Sequence, residues 1–388
     1  MRFFQNSAIN RIYMHTGLQS FAFNSGSAFV FVYLLKEGMA LPLVFLTISA
    51  MILARLLFRL AVVPIVNRIG LRNGLLIGTA LEASGFLFLA NVHDVGPWLI
   101  AYVAIAACGT AFYWTCYHAT VSRLGDAEHR GAQVSAREAI FSLSGIVGPL
   151  FGGFVLTVFG PFYAFAAAAI VNALAMLPLL KIPHMAIAPE AAISREGKIF
   201  AFGLAFSDGL VALAVNFGWR IVLFITLGES FNAFAGAIAA ASLLGAVLGL
   251  GVGRLIDLGH HKRSVQIGLT FMVCTILAEA FGYTSVWGAI IANMIGAIAG
   301  PLYMSAIMAP LYNVAKASAC TFRFNVTAEN GFDSGAGFGC LIAAGLVYLG
   351  FSFFWLLIIG LGGCIGVYMI LQWHNKQPVA KVVANAIL

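Results

Sequence analysis

Six carboxylates stand inside long apolar stretches, where a charge needs a reason, and four of them are candidates to carry a proton: Glu138, Asp208, Glu329 and Asp333. On insertion scales an ionised side chain at the centre of a bilayer costs about 2.5–3.5 kcal/mol. Glu329 and Asp333 are one helical turn apart and so share a face, and two carboxylates that close do not both ionise cheaply. Such a pair is suited to taking up and releasing a proton. Overlaying the two halves of the chain sets Glu138 on Glu329 and Phe141 on Phe332, which makes an acid at this depth a feature of both halves. Asp208 is the strongest single candidate for holding a proton or touching a ligand. The competing reading of Glu138, Glu329 and Asp333 is a set of fixed ion pairs with Arg130, Arg137 or Arg323.

The same stretches hold cations and hydrogen-bonding groups. Arg55 and Arg59, four residues apart, share a helix face and repel unless an anion or carboxylates lie opposite. With Arg137 they form an anion-attracting patch, since a guanidinium offers a forked donor to carboxylate or phosphate; alternatively they join Glu138 in a structural network. Asn216 and Arg220 are also one turn apart and can contact a solute, with gating the other use of Arg220. Trp114, Tyr117 and His118 fall at i, i+3 and i+4, one face able to stack on a solute or simply to pack. Asn24, with Gln19 and Ser25, interrupts an apolar run, and Asn293 and Tyr303 offer further polar contacts.

Enzymatic readings fail. No Gly-x-x-x-x-Gly-Lys-Ser/Thr phosphate cradle and no Gly-x-Ser-x-Gly elbow occurs, and the histidines lack metal-ligand spacing. Six cysteines are scattered singly and read as small packing residues rather than disulfides or zinc ligands. The expectation is a protein that is not an enzyme and needs no cofactor or metal.

Composition says what must position these groups. Hydrophobic residues make up 61% of the chain and charged residues 9%, against about 25% charged in a soluble domain. Lipid must be the solvent, and backbone in lipid must satisfy its own hydrogen bonds, so the spans are helices. The expected spans are 7–35, 42–67, 73–91, 97–122, 132–159 and 162–181, then 199–228, 232–256, 264–282, 285–313, 322–350 and 352–373. The start lacks a cleavage site, so the first span is expected to stay as a helix. The predicted fold is an all-α integral membrane protein of twelve transmembrane helices in two pseudo-symmetric six-helix bundles, 1–181 and 199–388, joined by a polar linker at 182–198. The net charge of +7 sits in short connections, which speaks against nucleic acid. By the positive-inside rule the basic loops, the linker and both termini face the cytoplasm.

The halves repeat a hairpin. Asn67, Arg68, Gly70 and Arg72 follow the second span; Gly253, Asp257 and Lys262 follow the eighth, about half a chain later. Two similar halves of a polytopic membrane protein are the mark of a secondary transporter. With six-plus-six helices and a central linker, the paired hairpins resemble the major facilitator superfamily, whose signature reads Gly-x-Leu-x-Asp-Arg-x-Gly-Arg-Arg. Asn67 stands where the aspartate is expected, and His260 and His261 replace a glycine and an arginine. The resemblance implies that these hairpins gate the cytoplasmic side, with a weaker latch in the first half. It also implies that spans one, four, seven and ten line the cavity, and that Glu82 and Glu279, on spans three and nine, serve packing or an interface.

On the fifth span Gly145, Gly148, Pro149, Gly152 and Gly153 resemble a Gly-Pro-x-x-Gly-Gly pattern of bacterial proton-coupled exporters. Physically, such a run lets helices approach closely and permits a bend. The resemblance implies a monomer in the inner membrane of a bacterium that moves a small amphiphilic or anionic organic solute by alternating access, driven by protons, with export favoured. Import by proton/organic-anion symport is the alternative; a lipid flippase and a non-transporting sensor or assembly protein are further readings.

Overall fold

The computed structural model describes residues 7–124, 130–187, 192–256 and 261–376, and within these not the side chains of 122, 130–139, 248–256, 261–264, 305 and 309. Among the described residues the chain is helical, without strands. In chain order the helices are α1 (Ser7–Lys36), α2 (41–69), α3 (71–89), α4 (Pro97–Leu124), α5 (Arg130–Val158) and α6 (Pro161–Leu179). Then come α7 (Arg195–Thr226), α8 (Phe231–Ile256), α9 (His261–Gly282), α10 (Val286–Ala317), α11 (Thr321–Tyr348) and α12 (Phe353–Lys376). Among the described residues ten helices are long and apolar enough to cross a membrane, and Phe231–Val247 is a shorter apolar run. One of the ten, Leu41–Leu89, is broken at Gly70 (φ 80°, ψ 167°). The six-plus-six order is consistent with these elements.

Gly70 shows why the first hairpin has its sequence. Its backbone lies in a region that only glycine occupies comfortably. A Cβ there would sit 2.6 Å from the His184 ring, and Leu71 N–H donates to Met185 O at 3.1 Å. Arg123 donates to Ala186 O at 2.6 Å and Arg11 to Lys181 O. The described start of the linker is thus fastened to the ends of α1 and α4 and to the hairpin. Asn67 and Arg68 are exposed, and Arg72 is part-buried. Of the second hairpin, Gly253 lies on α8, whereas Asp257 and the Lys262 side chain lie outside the described residues.

The chain forms two compact units. The first comprises Met1–Met39, Ala54–Pro189 and Ser230–Leu243; the second comprises Ala40–Leu53, Glu190–Glu229 and Leu244–Leu388. Units and sequence halves therefore differ at 40–53 and 230–243, the starts of α2 and α8. Glycines on α5 and α11 explain both exchanges. On α5, Gly148 and Gly152 let α1 approach, so that a Cβ at 152 would land on Ser25 O. Gly145 and Gly153 meet Ser242 and Ala235 of α8 instead. Pro149 sits between these faces inside a continuous helix. On α11, Gly331 and Gly335 lie on the Phe202 and Phe206 carbonyls of α7, while Gly337 meets Leu53 of α2 and its carbonyl accepts from Ser49 Oγ at 2.8 Å.

These contacts fix the register of the internal repeat. Gly148 packs on Phe21 and Asn24, and Gly339 packs on Leu210 and Leu213. Ser144 bonds Gly17 O, and Gly335 packs on Phe206. Gly78 abuts Tyr113, and Gly268 abuts Tyr303. The same register sets Gln19 on Asp208 and Tyr113 on Tyr303.

The close approaches predict where an added methyl hurts. Gly152→Ala and Gly335→Ala each overpack against a backbone carbonyl and should destabilise by about 1–3 kcal/mol. Gly345→Ala and Gly362→Ala, with nothing within 4 Å of the new methyl, should be neutral or stabilising by about 0.5–1 kcal/mol, the helical glycine penalty. Thermal unfolding of the detergent-solubilised variants separates the two classes.

Candidate functional site

Each unit carries its own polar cluster. In the first, α1 presents His15, Thr16 and Gln19, all buried at 4% exposure or less. His15 Nδ1 is 2.8 Å from Ala175 O and Nε2 is 3.2 Å from Tyr113 Oη. A carbonyl only accepts, so Nδ1 carries the proton and Nε2 receives that of Tyr113. Thr16 Oγ1 bonds Tyr117 Oη at 3.2 Å, and Tyr113 and Tyr117 stack with centroids 5.5 Å apart. Arg59, 2% exposed, donates from Nε to Thr115 Oγ1 at 3.3 Å. Arg55 is also buried and lies within electrostatic reach of Glu82, which stands beside the side-chain amides of Gln19 and Asn172.

In the second unit Asp208 is the centre. Tyr303 Oη of α10 donates to Asp208 Oδ1 at 3.0 Å. Glu329 of α11 and Cys364 of α12 lie within electrostatic reach of the same carboxylate. Asp333 is fully buried. Farther along α7 the helix widens into a π segment, Leu213–Gly218, just before Arg220. Asn216 in that segment is exposed, and Arg220 is part-buried. Trp219 Nε1 donates to Asn293 Oδ1 of α10 at 3.2 Å. Widened turns of this kind cluster at functional sites.

The structure therefore brings Asp208, Tyr303 and Glu329 together in one unit, and Arg55, Arg59 and the α1 and α4 polar residues together in the other. Trp114 and His118 stack on each other, centroids 5.5 Å apart, and both are part-buried, whereas Tyr117 is spent on Thr16. Asn24 Nδ2 is returned to its own helix at Ser20 O, 2.8 Å away. The side chains of Arg137 and Glu138 lie outside the described residues. Glu82 of α3 stands beside Gln19 of α1 and Asn172 of α6. Glu279 is 1% exposed, deep in its unit. Asn172, His15 and Thr115 were missed by sequence reasoning. The closely spaced polar positions His15, Thr16 and Gln19 on α1 were the signal for His15. Among the described residues no cluster of His, Cys, Asp or Glu could hold a metal ion.

Comparison with known proteins agrees with this architecture. The sequence model of the Major Facilitator Superfamily matches residues 16–322. No curated protein matches the chain. A crystal structure of a POT family transporter in complex with a thioalcohol-conjugated peptide superposes with a TM-score of 0.73 at 12% identity, over 97% of this chain and 98% of that one. The crystal structure of the human organic anion transporter MFSD10 (TETRAN) gives 0.68 at 15% identity, over 93% and 99%. A POT family transporter in complex with 5-aminolevulinic acid gives 0.70 at 12%, over 96% and 97%. At these identities the likeness is one of fold.

The Asp208–Tyr303 bond can be weighed directly. Tyr303→Phe removes a donor from a buried carboxylate, a loss of about 1.5–3 kcal/mol for a hydrogen bond to a charged group. In an Asp208→Ala background the same substitution should cost much less. Thermal unfolding of the four proteins of this double-mutant cycle gives the coupling.

Proposed function

Because the chain belongs to the Major Facilitator Superfamily, we propose that it is a proton-coupled secondary transporter that moves a small organic solute, amphiphilic or anionic, by alternating access. The observation that carries this reading is the Asp208–Tyr303 pair. A carboxylate inside an apolar span is costly, and arginine or lysine is its usual relief. Here, among the described residues, its partner is a neutral phenol, and a second acid, Glu329, is close enough to repel it. An acid so placed can take up a proton and release it when its surroundings change. Glu329 and Asp333, and Glu138 in the first half, are the other candidate carriers.

The solute contacts proposed are Arg55, Arg59, Arg137, Asn24, Trp114, Tyr117, His118, Asn216 and Arg220. Export is the favoured direction, on the resemblance of the α5 glycine–proline run to exporters. Proton/organic-anion symport is the second reading. The buried guanidiniums of Arg55 and Arg59 favour it, and so does the fold shared with an organic anion transporter. The distribution of basic residues supports cytoplasmic termini and a cytoplasmic linker, and the protein is proposed to act as a monomer in a bacterial inner membrane.

The test is purified protein in liposomes enclosing a pH-sensitive dye, challenged with organic anions, cations and lipophilic amines. A substrate-dependent proton flux is expected, falling to background in Asp208→Asn while size-exclusion profile and melting temperature are kept. Solute movement that leaves the dye unchanged would overturn proton coupling, and equal flux in Asp208→Asn would remove Asp208 as carrier.

A further inference from the structure

Glu279 of α9 is an acid that the transport reading leaves unused. It lies one turn before the end of its helix and is 1% exposed. Its Oε2 is sealed in the protein without a hydrogen-bond partner among the described residues. Thr275, one turn earlier on the same face, is spent on its own helix, donating from Oγ1 to Phe271 O at 2.9 Å.

The elements packed around this end of α9 bring no cation to it. Gly360 of α12 lies on Ile276, Thr226 of α7 donates to Tyr283 O, and Gly288 of α10 interlocks with Gly282. Their titratable groups are Asp208 and Arg220 of α7, Glu229 beyond its end, Tyr303 of α10 and Cys364 of α12, with Tyr283 on α9 itself. Lys316 and His374 stand at the opposite ends of α10 and α12. Among the described residues no hydrogen bond or charge from any of these groups acts on Glu279.

An ionised carboxylate enclosed in this way is very costly, because a buried charge must be both paired and hydrogen-bonded. A neutral carboxyl with one bare carbonyl oxygen is a far smaller deficit. The other oxygen has a way out. A Cβ on part-exposed Gly296 of α10 would sit 3.5 Å from Glu279 Oε1 and 3.2 Å from Thr275 Cγ2. The glycine therefore leaves a gap of methyl size beside Oε1, on the seam between α9 and α10. A single water there can hand over a proton. A hard metal cation would need about six oxygen ligands, and the seam offers one carboxylate oxygen.

We propose that Glu279 is a proton-binding site of the second unit, loaded at Oε1 through the gap at Gly296. The site stands on this geometry; its use in transport rests on the proton-coupled reading above. Loss of the proton leaves a charge that only water can relieve, so α9 and α10 must part at Gly296. Binding the proton lets them close. The closed seam is the one in which Gly268 of α9 abuts Tyr303, whose hydroxyl serves Asp208. Proton occupancy at Glu279 thus favours the placement of α10 that the Asp208–Tyr303 pair requires.

Infrared difference spectroscopy of the full-length protein in lipid, titrated from mildly acidic to alkaline pH without any solute, tests this. A carboxyl C=O band should be present at acidic and neutral pH and fall reversibly as the pH rises. It should vanish in Glu279→Gln and persist in Asp208→Asn. With no donor on Oε2, it should lie at higher frequency than the Asp208 component, which Tyr303 bonds. In heavy water its isotope shift should develop several-fold more slowly in Gly296→Ala, whose methyl fills the gap, with the Asp208 component unchanged. A Glu279→Gln spectrum identical to wild type would overturn the proposal. So would a band that persists to alkaline pH, which would make Glu279 a permanently neutral packing residue. Equal exchange in wild type and Gly296→Ala would also overturn it, and this variant decides the matter if Glu279→Gln fails to fold. A titrating Glu279 band in a protein whose solute flux moves no protons would uphold this site and remove the coupling proposed above, so the two readings fail separately.

Discussion

In hydrocarbon a polar group finds its hydrogen-bond partner inside the protein or goes without, and the rest of this structure follows from that. Backbone amides have no water to turn to, so the chain is helical wherever it is apolar. Helices have no hydrophobic reason to associate within lipid, so they are held by close packing and by polar contacts between them. Glycine provides the first. At Gly152 and Gly335 a neighbouring carbonyl occupies the place of a side chain. Such contacts leave little slack, and they set the rotation of α1 and α7 about their axes.

That rotation determines which polar side chains meet. Because Gly148 and Gly152 hold α1 on α5, its opposite side carries His15 to Tyr113, Thr16 to Tyr117 and Gln19 to Glu82. Because Gly209 and Gly335 interlock α7 with α11, Asp208 meets Tyr303 and lies near Glu329. Packing by the smallest residues thus sets the geometry of the most costly ones. A methyl group at Gly335 would act on the polar cluster of the second unit by turning α7, since it lands on Phe206 and not on Asp208 or Tyr303.

Much of this was legible in the sequence. The helices, the break near Gly70 and the repeat follow from apolar length and from the paired hairpins. Overlaying Glu138 on Glu329 uses the same register that the glycine contacts show, even though the Glu138 side chain is not described. What composition could not convey was direction around a helix. The resembled fold makes the span of Glu82 peripheral, yet a peripheral helix still has one inward face, and Glu82 stands beside Gln19 and Asn172. Asn172 escaped because one amide in an apolar span carries no pattern of its own; its role appears only when Gln19 and Glu82 are placed beside it. The starts of α2 and α8 escaped for a related reason. A long helix can pack with different neighbours along its length, and no local sequence signal marks the change.

The repeat also shows how two similar halves come to do different work. Tyr113 and Tyr303 occupy equivalent positions, and each donates a hydrogen bond into its own unit. The acceptors differ: an imidazole one turn from Gln19 in the first unit, a carboxylate in the second. At the α1 and α7 positions themselves, Gln19 and Asp208 differ by an amide for an acid. A glutamine there cannot titrate, so the first half needs an acid from elsewhere if it is to hold a charge, and Glu82 of α3 supplies one within reach of that glutamine. The scaffold keeps the phenol and the glycine seam in both copies while the acid moves to a different helix. Divergence of this kind leaves the α1–α5 and α7–α11 registers intact, because Gly148, Gly152 and Gly335 touch neither Gln19 nor Asp208.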